Sequence, residues 1–169
     1  MIGLQFYDKD DDSGEIGLDM LLAISETVSL ALANARNIQV LEYQAMHDSL
    51  TGLPNRSLLH RETAEALRLS NGQHGLALLL LDLDRFKEVN DTLGHRTGDL
   101  LLKLVATRLQ TALDSHDALL ARLGGDEFAI LLRQCPAAET ATSVAAELVD
   151  ALHQPIEVEG IFIELDEAI

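Results

Sequence analysis

The sequence predicts an α+β (α/β) sandwich, a central sheet flanked by helices and preceded by one long helix. Three observations carry this. LALLLLDLD, Leu76 to Asp84, is an uninterrupted apolar run of strand length that ends in acids. Two shorter apolar runs, Leu119–Leu123 and Phe128–Leu132, are separated by Gly124 and Gly125, which signals a hairpin. Around them lie segments of helical period, in the order helix, strand, helix, hairpin, helix, strand.

The elements follow in order. Met1 to about Asp19 is short, acidic and irregular, and reads as a solvated loop. Asp8, Asp10, Asp12 and Asp19 match positions one, three, five and twelve of a calcium loop, but Ser13 stands where its turn needs glycine and Asp19 where glutamate closes it. Leu21–Met46 contains no Pro or Gly and predicts a single long helix. Leu21, Ile24, Val28, Ala31, Ala35 and Ile38 recur every three or four residues, a heptad seam that Glu42 interrupts. Such a helix either packs on its own domain or forms a parallel dimerising stalk. The third zone begins near Asp48. A helix is expected from Leu53 to about Leu69 with Pro54 in its first turn, followed by a turn at SNGQHG. Leu76–Asp84 reads as a strand buried on both faces. A helix over Thr97–Leu113 turns Leu100, Leu101, Leu104, Val105 and Leu109 inward. Pro136 breaks the chain, Ala137–Leu152 is helical, and Ile156–Leu165 alternates as one further strand.

Composition narrows the function. A net charge of −16 and the absence of Trp argue against a nucleic-acid groove, a base-stacking surface and a polybasic membrane anchor. An anion can still bind if divalent cations mediate. The single cysteine, Cys135, can form no internal disulfide. With no signal-peptide pattern and no membrane-length apolar run, a soluble cytoplasmic protein is expected.

The chemistry concentrates at strand ends. Asp82 closes a strand and Asp126 sits in a hairpin turn; if the strands pair, the two carboxylates meet and need a counter-charge. Mg²⁺ supplies it, binding through one or two carboxylates plus substrate phosphates. Gly124 and Gly125 would let backbone approach the ligand. Taken alone, Gly-Gly-Asp-Glu is also a common solvated hairpin. The stretch DLDRFKEVNDTLGHRTGD, Asp82–Asp99, adds Lys87, Asn90, His95 and Asp99 just beyond a strand's carboxyl end, where α/β ligand sites lie. Singly, each has an ordinary role as cap or surface charge; Asn90 and Asp99 are both helix-cap candidates.

Three stretches in this order, DSLTGLPNR (Asp48–Arg56), LLLLDLDRFKEVNDTLGHRTGD (Leu78–Asp99) and ARLGGDEFAILL (Ala121–Leu132), resemble the GGDEF domain of diguanylate cyclases. The resemblance covers about Asp48 to the last residue. It implies a fold related to the palm of nucleotidyl cyclases and polymerases. It also implies a nucleotidyltransferase that condenses two GTP into cyclic di-GMP with release of pyrophosphate, a reaction of bacterial second-messenger signalling, with Mg²⁺ or Mn²⁺ as cofactor. Position by position, Asp82 and the Leu83 carbonyl resemble metal ligands, and Asp126 a second ligand and proton acceptor. Gly124 and Gly125 match the glycines that approach GTP, Asn90 and Asp99 the guanine readers, and His95 a substrate contact. Phe86 and Lys87 fall in the phosphate-facing segment, and Glu127 is a further metal or substrate candidate. One domain holds one GTP, so a homodimer is implied. The N-terminal stretch GLQFYDKDDDSGEIGLDMLLAISETVSLALANARN resembles the last strand and helix of a GAF sensory domain. The implied organisation is a GAF-like remnant over 1–20, a signalling helix over 21–47 and a GGDEF domain over 48–169.

Two departures from the family pattern matter. The Arg-x-x-Asp site that binds product is absent, because Asp114 stands at the Arg position relative to Asp117 and the spacing to Gly124 is one residue longer. The family also continues into a Ser-Ile-Gly strand, a helix and basic phosphate-binding residues, whereas this sequence stops at IFIELDEAI. A sheet short of a strand and a clamp short of its cations are therefore expected. A non-catalytic GTP-binding regulatory module, or a dimerising stalk with an inert cap, is the alternative to an active cyclase.

Overall fold

The computed structural model describes residues 13–70 and 75–168. Met1–Tyr43 and Gln44–Ile169 form two separate compact units. The acidic stretch with Asp8, Asp10 and Asp12 lies outside the described residues.

α1 runs Ser13–Met46, starting eight residues before the expected Leu21. The stretch expected to be irregular up to Asp19 is thus helical from Ser13. Leu21, Ile24, Val28 and Ile38 are all exposed along it. No helix among the described residues is long and apolar enough to cross a membrane.

In the second unit, α2 spans Arg56–Leu69. Its start corrects the expected Leu53: Pro54 precedes the helix, in a bridge with His47, and Asn55 is the cap. Asn55 Oδ1 accepts the N–H groups of Ser57 and Leu58 at 2.9 and 3.1 Å, and its Nδ2 donates to the Ala45 carbonyl at 2.9 Å. One side chain therefore caps the new helix and holds the end of the preceding one. Asn55→Ala is expected to lower stability by about 1–2 kcal/mol, read from urea unfolding.

β1 (Gly75–Asp84), β2 (Ala118–Gly124), β3 (Glu127–Cys135) and β6 (Asp166–Ala168) form one antiparallel sheet in the order β2-β3-β1-β6. Between β1 and β2 lie α3 (Phe86–Leu93) and α4 (His95–Leu113); after β3 comes α5 (Ala138–His153). The main core joins Leu81, Leu83, Phe128, Ile130 and Leu132 of the sheet to Leu101, Val105 and Leu109 of α4 and Val144, Leu148 and Leu152 of α5. On the opposite face Leu59 of α2 packs on Ala121, Ala129 and Leu131.

β1 is buried on one face only, which corrects the expectation of burial on both. Leu81 and Leu83 are inside, but Leu78 and Leu80 are 50% and 57% exposed. The reason is topological: α2 covers the β2–β3 side of that face and leaves β1 open. The same period of two that puts Leu81 and Leu83 inward puts Asp82 and Asp84 on the open face.

Further expectations fail. The single helix at Thr97–Leu113 is preceded by α3, and α4 begins two residues earlier; Gly94, at φ 85°, separates the two. Asn90 and Asp99 therefore lie inside helices and cap none, and Leu104 faces out while Leu102 and Ala106 are buried. The expected strand Ile156–Leu165 is a hairpin, β4 (Ile156–Val158) and β5 (Ile161–Ile163), leading into β6. Glu159 and Gly160, at φ 51° and 84°, supply the tight turn between its strands.

Candidate active site

The site assembles where β1 ends and the β2–β3 hairpin turns. Antiparallel pairing puts Asp82 directly opposite Glu127, and Asp126 is in the adjoining turn. Asp84 follows Asp82 by two residues and so shares its face. Partial loss of hydration pushes the Asp82 carboxyl above its ordinary value, and the negative charges of Asp126, Asp84 and Glu127 add to it in that order. Three further carboxylates thus sit within electrostatic reach of Asp82. Arg56, at the start of α2, lies 3.7 Å from Glu127, and both side chains are largely solvent-exposed.

The hairpin turn is shaped by glycine and held by arginine. Gly124 and Gly125 have φ of 135° and 59°, a region that L-residues with side chains avoid. Arg122, 9% exposed, donates from Nε and Nη2 to the Gly125 carbonyl at 3.1 and 2.7 Å. Its Nη1 donates to Asp48 Oδ1 at 2.8 Å. Asp48 also accepts the backbone N–H and the hydroxyl of Thr51. Burial pushes the Asp48 carboxyl up, but the hydrogen bonds from Thr51 and Arg122, with the Arg122 charge, outweigh it and hold it below its ordinary value. The hairpin turn is therefore bolted to the loop that follows α1.

The other candidates line the β1–α3–α4 connection. Arg85 takes a left-handed conformation, φ 64°, at the N-cap of α3 and makes no side-chain cap bond. Of the first-turn N–H groups of that helix, that of Glu88 donates to the Arg85 carbonyl at 2.8 Å. Phe86 is buried in the core and Leu83 likewise, so only their main-chain groups can serve a ligand. Lys87, His95 and Asp99 are exposed and Asn90 half-buried. No hydrogen bond or ion pair links these four side chains to the acids among the described residues.

Among the described residues, no group of three His, Cys, Asp or Glu side chains is arranged to hold a metal ion unaided. The donor set nevertheless fits a hard divalent cation that takes only one or two carboxylates from protein: lost hydration and then the neighbouring anions raise the Asp82 carboxyl above its ordinary value, so a counter-charge is what the cluster lacks. The notch beside it, lined by Leu80, Leu81, Asp82, Leu123, Glu127 and Phe128, is about 110 Å³. A cavity of about 310 Å³ adjoins Asp84 and Arg85. A groove of about 480 Å³ lies away from these acids between α4 and the end of α5. There Arg108 is already bonded to the carbonyls of Ala151, Gln154 and Pro155.

The family pattern "Diguanylate cyclase, GGDEF domain" matches residues 45–166. The chain belongs to the GGDEF-domain family. The GGDEF chain is 45% identical over 117 residues to the diguanylate cyclase TpbB of Pseudomonas aeruginosa, covering 69% of this chain and 27% of that protein. It is 43% identical to the probable diguanylate cyclase DgcE of Escherichia coli, again over 69% of this chain but 10% of DgcE. The chain thus spans about a quarter or less of these relatives. Among solved structures it is similar to a form of TpbB comprising only the GGDEF domain, with TM-score 0.68 and 41% identity over 72% of this chain and 71% of that one. The coiled coil and GGDEF domain of DgcB from Caulobacter crescentus shares the fold, with TM-score 0.76 and 23% identity over 88% and 80%.

The sequence-based candidates did not include Asp84, Asp48 or Arg122. Asp84 was legible as a second acid two residues along the same strand. Arg122 had no such signal: its partner Asp48 is 74 residues away.

Proposed function

We propose that this chain is the GTP-condensing part of a diguanylate cyclase, working as a homodimer with one GTP on each copy. The supporting observation is that Asp126, in the hairpin turn beside the positive-φ glycines, lies within electrostatic reach of Asp82 near the end of β1. Asp82, Asp126 and the Leu83 carbonyl would hold Mg²⁺ or Mn²⁺. Bound there, the cation would lower the pKa of the attacking hydroxyl and offset charge on the phosphates. In each of two steps the 3′-oxygen of one GTP bonds to the α-phosphorus of the other, the bond to the β-phosphate breaks, and pyrophosphate leaves. The hydroxyl proton passes to the Asp126 carboxylate. Gly124 and Gly125 admit the nucleotide; Asn90 and Asp99 offer an amide and a carboxylate to the guanine edge. His95 and Lys87 stand at the substrate, the main chain at Phe86 and Lys87 faces phosphate, and Glu127 adds a metal or substrate contact.

Opposed active sites need a fixed geometry between copies. The exposed apolar residues of α1, Leu21, Ile24, Val28 and Ile38, suit helix-to-helix pairing of two chains, and an upstream GAF-like sensor in a cytoplasmic protein would act through that helix. Incubating the chain with GTP and Mg²⁺ and resolving the products chromatographically tests the reading: cyclic di-GMP is expected, and GTP binding without product would leave a regulatory module instead. Product feedback is a separate prediction. Asp117 is already engaged by Arg133 and Gln134, and the basic partner of an inhibitory site is missing. Added cyclic di-GMP is therefore expected to leave the initial rate of pyrophosphate release unchanged.

A further inference from the structure

We infer that Gly98 is a positioning residue for base selection, because its missing side chain is the space in which the Asn90 carboxamide lies. This rests on the nucleotide reading above and deepens it. Gly98 is buried in the first turn of α4, and its φ is not positive, so the glycine is not there for its backbone freedom. A Cβ built on Gly98 would lie 2.1 Å from Asn90 Oδ1, 3.0 Å from Asn90 Cγ and 3.2 Å from Phe86 Cζ. The first distance is impossible, so one of the two groups must give way.

What gives way is the carboxamide. Asn90 is held through its main chain, whose carbonyl accepts the Gly94 N–H at 2.9 Å. Its side-chain amide has no hydrogen-bond partner among the described residues. The Phe86 ring belongs to the core and limits escape on one side. A methyl group at position 98 therefore displaces a free side-chain end at little cost to the fold. Alanine is also the better helix former, so stability is expected to hold or rise. Recognition is the part that suffers. An amide discriminates between bases only when its donor and acceptor meet the matching edge, and a site built on that match loses selectivity once the match is broken.

The test is titration of the α,β-methylene analogues of GTP and ATP, each with Mg²⁺, into the wild-type chain, Gly98→Ala, Asn90→Ala and the double variant, with thermal unfolding of each. The wild type is expected to prefer the guanine nucleotide. Gly98→Ala should lose that preference by about tenfold or more, with adenine-nucleotide affinity and Tm not reduced. In the Asn90→Ala background, where room for the methyl exists, Gly98→Ala should change nothing further. A wild type without guanine preference overturns the nucleotide reading and this inference together. A wild-type preference that Gly98→Ala retains, or a loss that falls equally on both nucleotides, overturns the role of Gly98 alone.

Discussion

Asp82→Asn is expected to reduce Mg²⁺-dependent GTP turnover by about 10²–10³-fold, while making the metal-free protein slightly more stable. The two effects have opposite signs for one reason. Without a cation, Asp82 is a carboxylate among carboxylates, its pKa raised by lost hydration and by Asp126, Asp84 and Glu127. A group whose folded pKa lies above its unfolded one adds stability below the unfolded pKa and loses it as pH rises through the folded value. At neutral pH its ionised form is therefore a standing penalty in the empty site, and asparagine removes it. With Mg²⁺ and nucleotide present, the same charge would, on the proposed reading, be a ligand that a neutral amide replaces poorly. Thermal unfolding checks both halves. The variant should melt marginally higher than wild type in chelator near pH 7, with the difference vanishing in acid. It should also gain less from added Mg²⁺ and GTP. A variant that binds and turns over Mg·GTP like the wild type would remove Asp82 from the site.

The elements that were legible in the sequence are those whose cause is local. β1 and the β2–β3 hairpin announce themselves by apolar runs broken by glycines, and the acids at their ends follow from strand period. α3 was not legible: Phe86–Leu93 is eight residues with few apolar positions, and the break at Gly94 looks like any loop glycine. Ile156–Leu165 alternates like one strand, but Glu159 and Gly160 fold it back on itself in two residues. The open face of β1 could not be foreseen either. An unbroken leucine run says only that water is unwelcome, and it is the placement of α2 that decides which face is covered. In the site, the acids were readable singly, whereas the contact of Asn90 with Gly98 required two helices to meet.

Arg122 belongs to the part that was not readable, and its removal is expected to be the most destabilising single change at the site. Arg122→Ala should lower stability by about 4 kcal/mol, a fall in Tm of about 15 °C for a unit of this size. The guanidinium is almost wholly buried and satisfies two partners at once, the Gly125 carbonyl and Asp48. Deleting it leaves the Asp48 carboxylate, 20% exposed, with only Thr51 as side-chain partner among the described residues, and strips the turn carbonyl of its two bonds from Arg122. Lysine keeps the charge but not the fork, so Arg122→Lys should fall between alanine and wild type. The pH dependence identifies the pair. The folded pKa of Asp48 is lowered below its ordinary value, so its contribution is present above the unfolded value and lost as pH falls through the folded one. The gap between wild type and Arg122→Ala should therefore hold from neutral pH to about 4 and narrow below it. If the gap is flat across that window, packing and not the ion pair is the cause. Gly125 precedes Asp126, so loosening its carbonyl also frees the carboxylate beside it. Faster amide exchange at Gly124–Asp126 in Arg122→Lys, with the rest of the sheet unchanged, would show that the loop after the long helix sets the position of the acid in the turn.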